Sequence, residues 1–171
     1  IIDADMTLKG GDLRASEKTY QALYQVSGRA GRAQTKGRVI IQTYYPENET
    51  IQSLAQLDRD AFYENEIYYR KLNNLPPSGK MAAIIVSGNN IAQVREQCSI
   101  MFGSIPNISE LEIYGPAPAP LSKLKGRHRQ RFLIHDKKAR NMQKIVNAWL
   151  KNSKSLSSVN ISVDIDPFSF V

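Results

Sequence analysis

Hydrophobic and polar positions alternate most cleanly near the end of the chain. Val159, Ile161, Val163 and Ile165 fall on one side, and Asn160, Ser162, Asp164 and Asp166 on the other. A period of two residues predicts a half-buried strand over Val159–Asp166. Before it, Met142, Ile145, Val146, Trp149 and Leu150 recur at helical spacing, which predicts a helix over Lys137–Lys151. Three more apolar runs read as strands: Met81–Ser87, the short Leu111–Tyr114 that leads into the stiff segment Gly115–Pro120, and Gln130–His135. Val94, Cys98, Met101 and Phe102 predict a helix over Asn90–Ile105. The order is βαββαβ, which predicts a four-stranded antiparallel sheet with two helices on one face.

The first half is less regular. Ile1–Met6 reads as the end of a buried strand, followed by the loop Thr7–Gly11. Leu13, Tyr20, Leu23 and Tyr24 predict a helix or two over Asp12–Val26, with Ser16 or Asp12 as cap, ended by Gly28 and Gly31. Arg38–Tyr44 is rich in β-branched and aromatic residues, predicts a strand, and is stopped by Pro46. Asn48–Asn73 reads as helical, with Ile51, Leu54, Ala55 and Leu57 on one face. Asp58 would cap a second helix bearing Phe62, Ile67 and Leu72. The Leu75–Gly79 segment, with its Pro pair, reads as a linker. The expected division is therefore 1–46, 47–79 and 80–171. The chain opens on Ile inside an apolar run, so upstream sequence is expected.

Composition fits a packed core: 42% of the 171 residues are hydrophobic and 23% charged. No stretch approaches the roughly 20 apolar residues that span a bilayer. The single cysteine, Cys98, falls in an apolar pattern and reads as a small core residue in a reducing compartment. Charge changes the picture more. Between Leu121 and Lys144 stand Lys123, Lys125, Arg127, Arg129, Arg131, Lys137, Lys138, Arg140 and Lys144, with Asp136 the one acid. That local excess exceeds the net +7 of the whole chain. It points to a polyanionic partner, with a plain solvated face as the alternative. Leu121–Arg131 reads as a basic loop between strands, and alternation puts Arg129 and Arg131 opposite Gln130 and Phe132. His128 interrupts the run without a partner at ligand spacing, and His135 reads as structural.

A second candidate site is Gln25-Val26-Ser27-Gly28-Arg29-Ala30-Gly31-Arg32. Two arginines three apart at a helix end offer rigid donor forks suited to phosphate oxygens. Gly28 and Gly31 let another surface approach, and Gln25 is placed to orient a water or touch a nucleotide. No G-x-x-x-x-G-K-[ST] loop is present to cradle β and γ phosphates.

Q-x-x-G-R-A-G-R resembles the sixth conserved motif of superfamily-two helicases. DADMTLKGGDLRASEKTYQALYQVSGRAGR, GRVIIQTYYPE, GPAPAPLSKLKGRHRQRFLIH and VDIDPFSFV together resemble the replication-restart helicases of the primosomal protein N′ (PriA) family along the whole chain. The resemblance implies the C-terminal part of a RecA-like lobe, followed by a small basic domain with the fold of a small ribosomal-subunit protein. It implies an ATP-driven 3′-to-5′ DNA helicase that acts at stalled or repaired forks in the bacterial cytoplasm, at the nucleoid. Gln25, Gly28, Arg29 and Arg32 would face ATP, with Arg29 and Arg32 catalytic. ATP and Mg²⁺ would be held mainly upstream, as would zinc, so the fragment alone is expected to lack ATPase activity. Asp3 and Asp5 match a loop linking nucleotide and DNA contacts, with ordinary loop and cap carboxylates as the alternative. The implied partners are forked DNA, the single-stranded-DNA-binding protein and other primosome proteins. Two other readings stand beside this one: a stand-alone RNA- or DNA-binding module, and an interaction protein using Tyr63, Tyr68 and Tyr69 as a contact face.

Overall fold

The computed structural model describes residues 1–5, 8, 12–30 and 37–167. Two compact units divide between Tyr69 and Arg70.

The first unit carries α1 (Ala15–Ser27), α2 (Glu49–Ala55) and most of α3 (Arg59–Leu72). α1 begins later than the apolar spacing suggests. Asp12 stays outside the helix and accepts from the Arg14 N–H (3.1 Å) and Lys18 Nζ (2.6 Å). α2 and α3 are separate because Leu57 takes a positive φ of 56°. Asn48 caps α2 by accepting from Thr50 N, and Asp58 accepts from Ala61 N in the first turn of α3. The small core is aromatic: Tyr20 and Phe62 stack with ring centroids 4.1 Å apart over Leu54. Tyr63 packs on the edge of this cluster. Of the apolar residues expected on this helix, Phe62 is buried, whereas Ile67 and Leu72 are exposed along with Tyr68 and Tyr69. Periodicity identifies an apolar stripe, and it does not say how far along a helix the covering surface extends.

The strands expected over Ile1–Met6 and Arg38–Tyr44 are not strands among the described residues. The two segments run side by side through three bonds, Ile1 N to Ile40 O (2.9 Å), Gln42 N to Ile1 O (2.9 Å) and Ala4 N to Gln42 O (3.0 Å), which do not extend into a ladder among the described residues. Asp5 is fully buried and accepts from Thr43 Oγ1 (2.5 Å) and Tyr44 N (2.7 Å), which gives it a structural job.

The second unit has the expected βαββαβ order: β1 (Lys80–Gly88), α4 (Ile91–Gly103), β2 (Leu111–Leu124), β3 (Arg127–Asp136), α5 (Met142–Asn152) and β4 (Asn160–Ile165). The sheet is antiparallel throughout, in the order β2-β3-β1-β4, so β3 pairs with β2 on one side and β1 on the other in the split-βαβ manner. One face carries Ala82, Ile84, Val86, Phe132 and Ile134. Both helices cover it with Val94, Cys98, Met101, Met142, Val146 and Trp149. Phe132 meets Trp149 edge to face at 5.4 Å, and the indole N–H donates to Met101 O (3.0 Å). Burial pushes the Cys98 thiol up to about 11, as expected of an inert core cysteine. Val163, in line with Ile161 and Ile165, is partly exposed on edge strand β4.

The Leu75–Gly79 segment belongs to the second unit. His135 Nε2 donates to the Asn74 carbonyl (2.8 Å), and a Cβ on Gly79 would lie 1.8 Å from that same oxygen. The Pro pair thus lies in a packed turn against the end of β3.

α5 starts at Met142, after the expected Lys137, because the intervening turn wraps a buried carboxylate. Asp136 is fully buried and accepts from Arg140 N (2.7 Å), Arg140 Nε (3.0 Å) and Lys138 N (3.3 Å). Burial alone would raise its pKa. The bonds from the Arg140 side chain and from the two backbone N–H groups outweigh that, and the carboxyl is held below its usual range. A group depressed in the folded state contributes stability above its unfolded pKa and loses it as pH falls through the folded value. Stability is therefore expected to fall as pH drops below about 4, the unfolded Asp value. Arg140→Ala should lower the urea midpoint at neutral pH and flatten this acid limb. Urea titrations at stepped pH, followed by the fluorescence of Trp149, would check both.

Candidate nucleic-acid interface

The basic segment expected to be a loop is paired. Lys123 faces His128 and Leu124 faces Arg127, so β2 and β3 form a hairpin closed by Lys125 and Gly126. Both turn residues have positive φ, 49° and 78°, the geometry of a two-residue type I′ turn. The charges obscure this in the sequence. The usual signal is Asn-Gly or Asp-Gly, and Lys-Gly carries only half of it. β1 pairs with β3 as far as Gly88 opposite His128, so little of the hairpin reaches beyond the sheet. The basic side chains are fixed to the sheet rather than carried on a free arm.

Ion pairing sorts the cluster. Lys137 pairs with Glu112, Lys138 with Glu110 (3.5 Å), and Arg140 with Asp136. Glu112, bonded by Lys137 and then by Tyr114, titrates at about 2. Those cations are neutralised locally. At the hairpin end the position differs. Lys123 and Lys125 are exposed and enter no ion pair among the described residues. Arg127 Nη2 donates to Ser87 O and Arg129 Nη1 to Leu121 O, both at 3.3 Å, so carbonyls orient these guanidiniums without cancelling their charge. Arg129 and Arg131 are half-buried on the face opposite Phe132, as the alternation predicts.

Residues not singled out from sequence join them. Ser87 is directly opposite Arg129 on one side and Asn160 on the other, and Ile85 likewise separates Arg131 from Ser162. The alternation of β4 marks its polar residues as outward. Only the strand order brings them onto the face of the arginines.

The helicase-like motif is partly described. Gln25 is exposed in the last turn of α1, Gly28 is its C-cap, and Arg29 is exposed in the turn that follows. Arg32 and Gly31 lie outside the described residues, so the arginine pair as a unit does too. Beside Gly28 lies a cleft of about 660 Å³ lined mainly by apolar side chains such as Val39, Ile41 and Leu54. Gln25 and Arg29 do not line it. No group of His, Cys, Asp and Glu among the described residues is arranged to hold a metal ion. No helix among them is long and apolar enough to cross a membrane.

The second unit is thus a small α+β domain of the split-βαβ class with a basic hairpin at one end of its sheet. Residues 71–168 match the family model for the primosomal protein N C-terminal domain, and the chain belongs to that family. It is 42% identical over 170 residues to the replication restart protein PriA of Rickettsia conorii, covering 99% of this chain and 26% of that protein. Identity to the proteins of the same name from Bacillus subtilis and Synechocystis is 34% over 173 residues, covering 98% and 99% of this chain and 22% and 20% of theirs. The chain spans about a quarter of the length of these relatives.

Lys125 holds a backbone conformation that favours Asn or Gly. Lys125→Asn should leave the thermal midpoint unchanged or raise it slightly, while removing one unpaired charge. Calorimetry combined with heparin retention on the same sample would test this, with weaker retention at an equal or higher midpoint as the expected result.

Proposed function

We propose that this chain is the end of the motor lobe and the basic C-terminal domain of an ATP-dependent 3′-to-5′ DNA helicase of replication restart. The second unit binds forked or junction DNA through Lys123, Lys125, Arg127, Arg129 and Arg131. The observation that carries this reading is the sorting of charge: Lys137, Lys138 and Arg140 have carboxylate partners, and the hairpin lysines have none among the described residues. Exposed lysines at the tip of a rigid hairpin, with no ion pair among the described residues, suit phosphates, whose neutralisation releases counterions. The names of the relatives support the replication-restart setting. The same basic surface suits an acidic segment of the single-stranded-DNA-binding protein, and other primosome proteins would assemble around it at forks in the bacterial cytoplasm.

Replacing Lys125, Arg127 and Arg129 together by Ala should weaken binding of forked DNA. It should also reduce the slope of log affinity against log salt by about 0.9 for each phosphate that is no longer neutralised. Anisotropy titrations at several salt concentrations measure this, and an unchanged slope would remove the hairpin from the interface.

Arg29 and Arg32 act on ATP bound mainly by the upstream motor lobe, where they stabilise charge developing on the transferred phosphoryl group. Gln25 and Gly28 complete that side of the nucleotide site. Mg²⁺ and the family's zinc would be held by residues outside this chain. In a protein of the relatives' full length, Arg29→Lys and Arg32→Lys should each lower DNA-stimulated ATP hydrolysis about 10³-fold or more, as for an arginine finger, with DNA binding retained. Hydrolysis at the unaltered rate in a phosphate-release assay would exclude the motor assignment.

A further inference from the structure

We infer that the phosphate path does not end at the hairpin but continues across the helix-free face of the sheet, over Ser87 to Asn160 and Ser162 on β4, and stops at Asp164. This rests on the DNA-binding reading above and extends it to a second strand and a defined limit.

Both helices are packed on the other face through Ala82, Ile84, Val86, Phe132 and Ile134. Alternation therefore turns Ser87, Arg129, Arg131, Asn160, Ser162 and Asp164 to the face without helices. They form rows across three strands: Arg129, Ser87 and Asn160 in one, Arg131, Ile85 and Ser162 in the next. At a strand spacing of about 4.8 Å, each row reaches roughly 10 Å from β3 to β4. Asn160, Ser162 and Asp164 are all exposed. The sequence of chemistry along the face is ordered: guanidinium groups at the hairpin end, neutral hydroxyl and amide donors beside them, then the Asp164 carboxylate opposite Ala83. A polyanion is attracted to the first, can hydrogen-bond to the second and is repelled by the third.

The occupant is a sugar-phosphate backbone. Neither row contains an aromatic side chain on which a base could stack. The aromatic residue on this face, Tyr114, lies opposite Leu133 and gives its hydroxyl to Glu112. Nor do the rows form an apolar socket for peptide side chains, since Ile85 alone is apolar and is already half-buried. Charge and donors without stacking or sockets fit a repeating phosphate, with little dependence on base sequence.

The test uses the chain of 171 residues, a fluorescent forked oligonucleotide and anisotropy over a range of salt. Asn160→Ala should weaken binding about three- to tenfold with the salt slope unchanged, because it removes a neutral hydrogen bond. Asn160→Asp should weaken it further, equally for two unrelated base sequences. Asp164→Asn should tighten binding about two- to threefold, a gain that misfolding cannot produce. If the Asn160 and Asp164 variants bind as the parent does while the hairpin alanine variant is weakened, the face is overturned and the hairpin reading survives. Should the hairpin variant also bind normally, both fall. A third overturning result is an acidic peptide whose binding is lost in Asn160→Asp while DNA binding persists.

Discussion

The second unit depends on the pairing of β3 with β1. β3 is central in the sheet and serves two environments with alternate residues. Phe132 and Ile134 close the core, while Arg129 and Arg131, on the same strand, face away from it. A strand with period two can do this only if its register is fixed, since a one-residue slip would bury arginines and expose phenylalanine. Burying the Phe132 ring against Trp149 therefore also aims the arginines. Packing energy in the core and placement of charge at the surface are one constraint.

Asp136 applies a similar constraint at the other end of β3. A fully buried carboxylate is costly unless it is paired and hydrogen-bonded. Here it gathers the N–H groups of the turn before α5 and the guanidinium of Arg140. Arg140 Nη2 also reaches Ser109 O (2.8 Å), so the same side chain ties down the approach to β2. Arg140 is thereby consumed in folding, and Lys137 and Lys138 pair with Glu112 and Glu110. One end of the strand is left basic and the other is balanced by carboxylates, and a count of charges along the sequence merges them.

That merging explains much of what is and is not legible in the sequence. The βαββαβ order, the core residues of α5 and the burial of Cys98 follow from apolar periodicity, because packing against a sheet enforces it. The hairpin is hidden because basic residues crowd its tip, from Lys123 to Arg131, and Lys-Gly is a weak turn signal. The start of α5 reads too early because nothing local marks Asp136 as buried. On α3 the apolar residues Phe62, Ile67 and Leu72 look alike in the sequence, and of these three Phe62 is the buried one. The segments near Ile1 and Arg38 have the composition of strands and share a few backbone bonds, but among the described residues these do not extend into a ladder. Asn160 and Ser162 are visible as outward residues, but their nearness to Arg129 and Arg131 depends on strand order, which alternation does not encode.

A rigid sheet also bears on how such a surface would act on DNA. A flexible basic tail gains affinity from charge alone but loses conformational entropy on binding. Here the turn at Lys125 and Gly126 and the ladder from Lys123 to Asp136 fix the backbone before any partner arrives. The carbonyls of Ser87 and Leu121 further restrict the arginine forks. Each guanidinium still has donors to offer, since it carries five and Arg127 and Arg129 each give one of them to these carbonyls. Preorganised charge of this kind favours a partner whose negative charges match the fixed spacing of the forks over one whose charges do not. The lysines at the tip, on longer and freer stems, are suited to attraction at a distance, and the arginines to registering what has arrived.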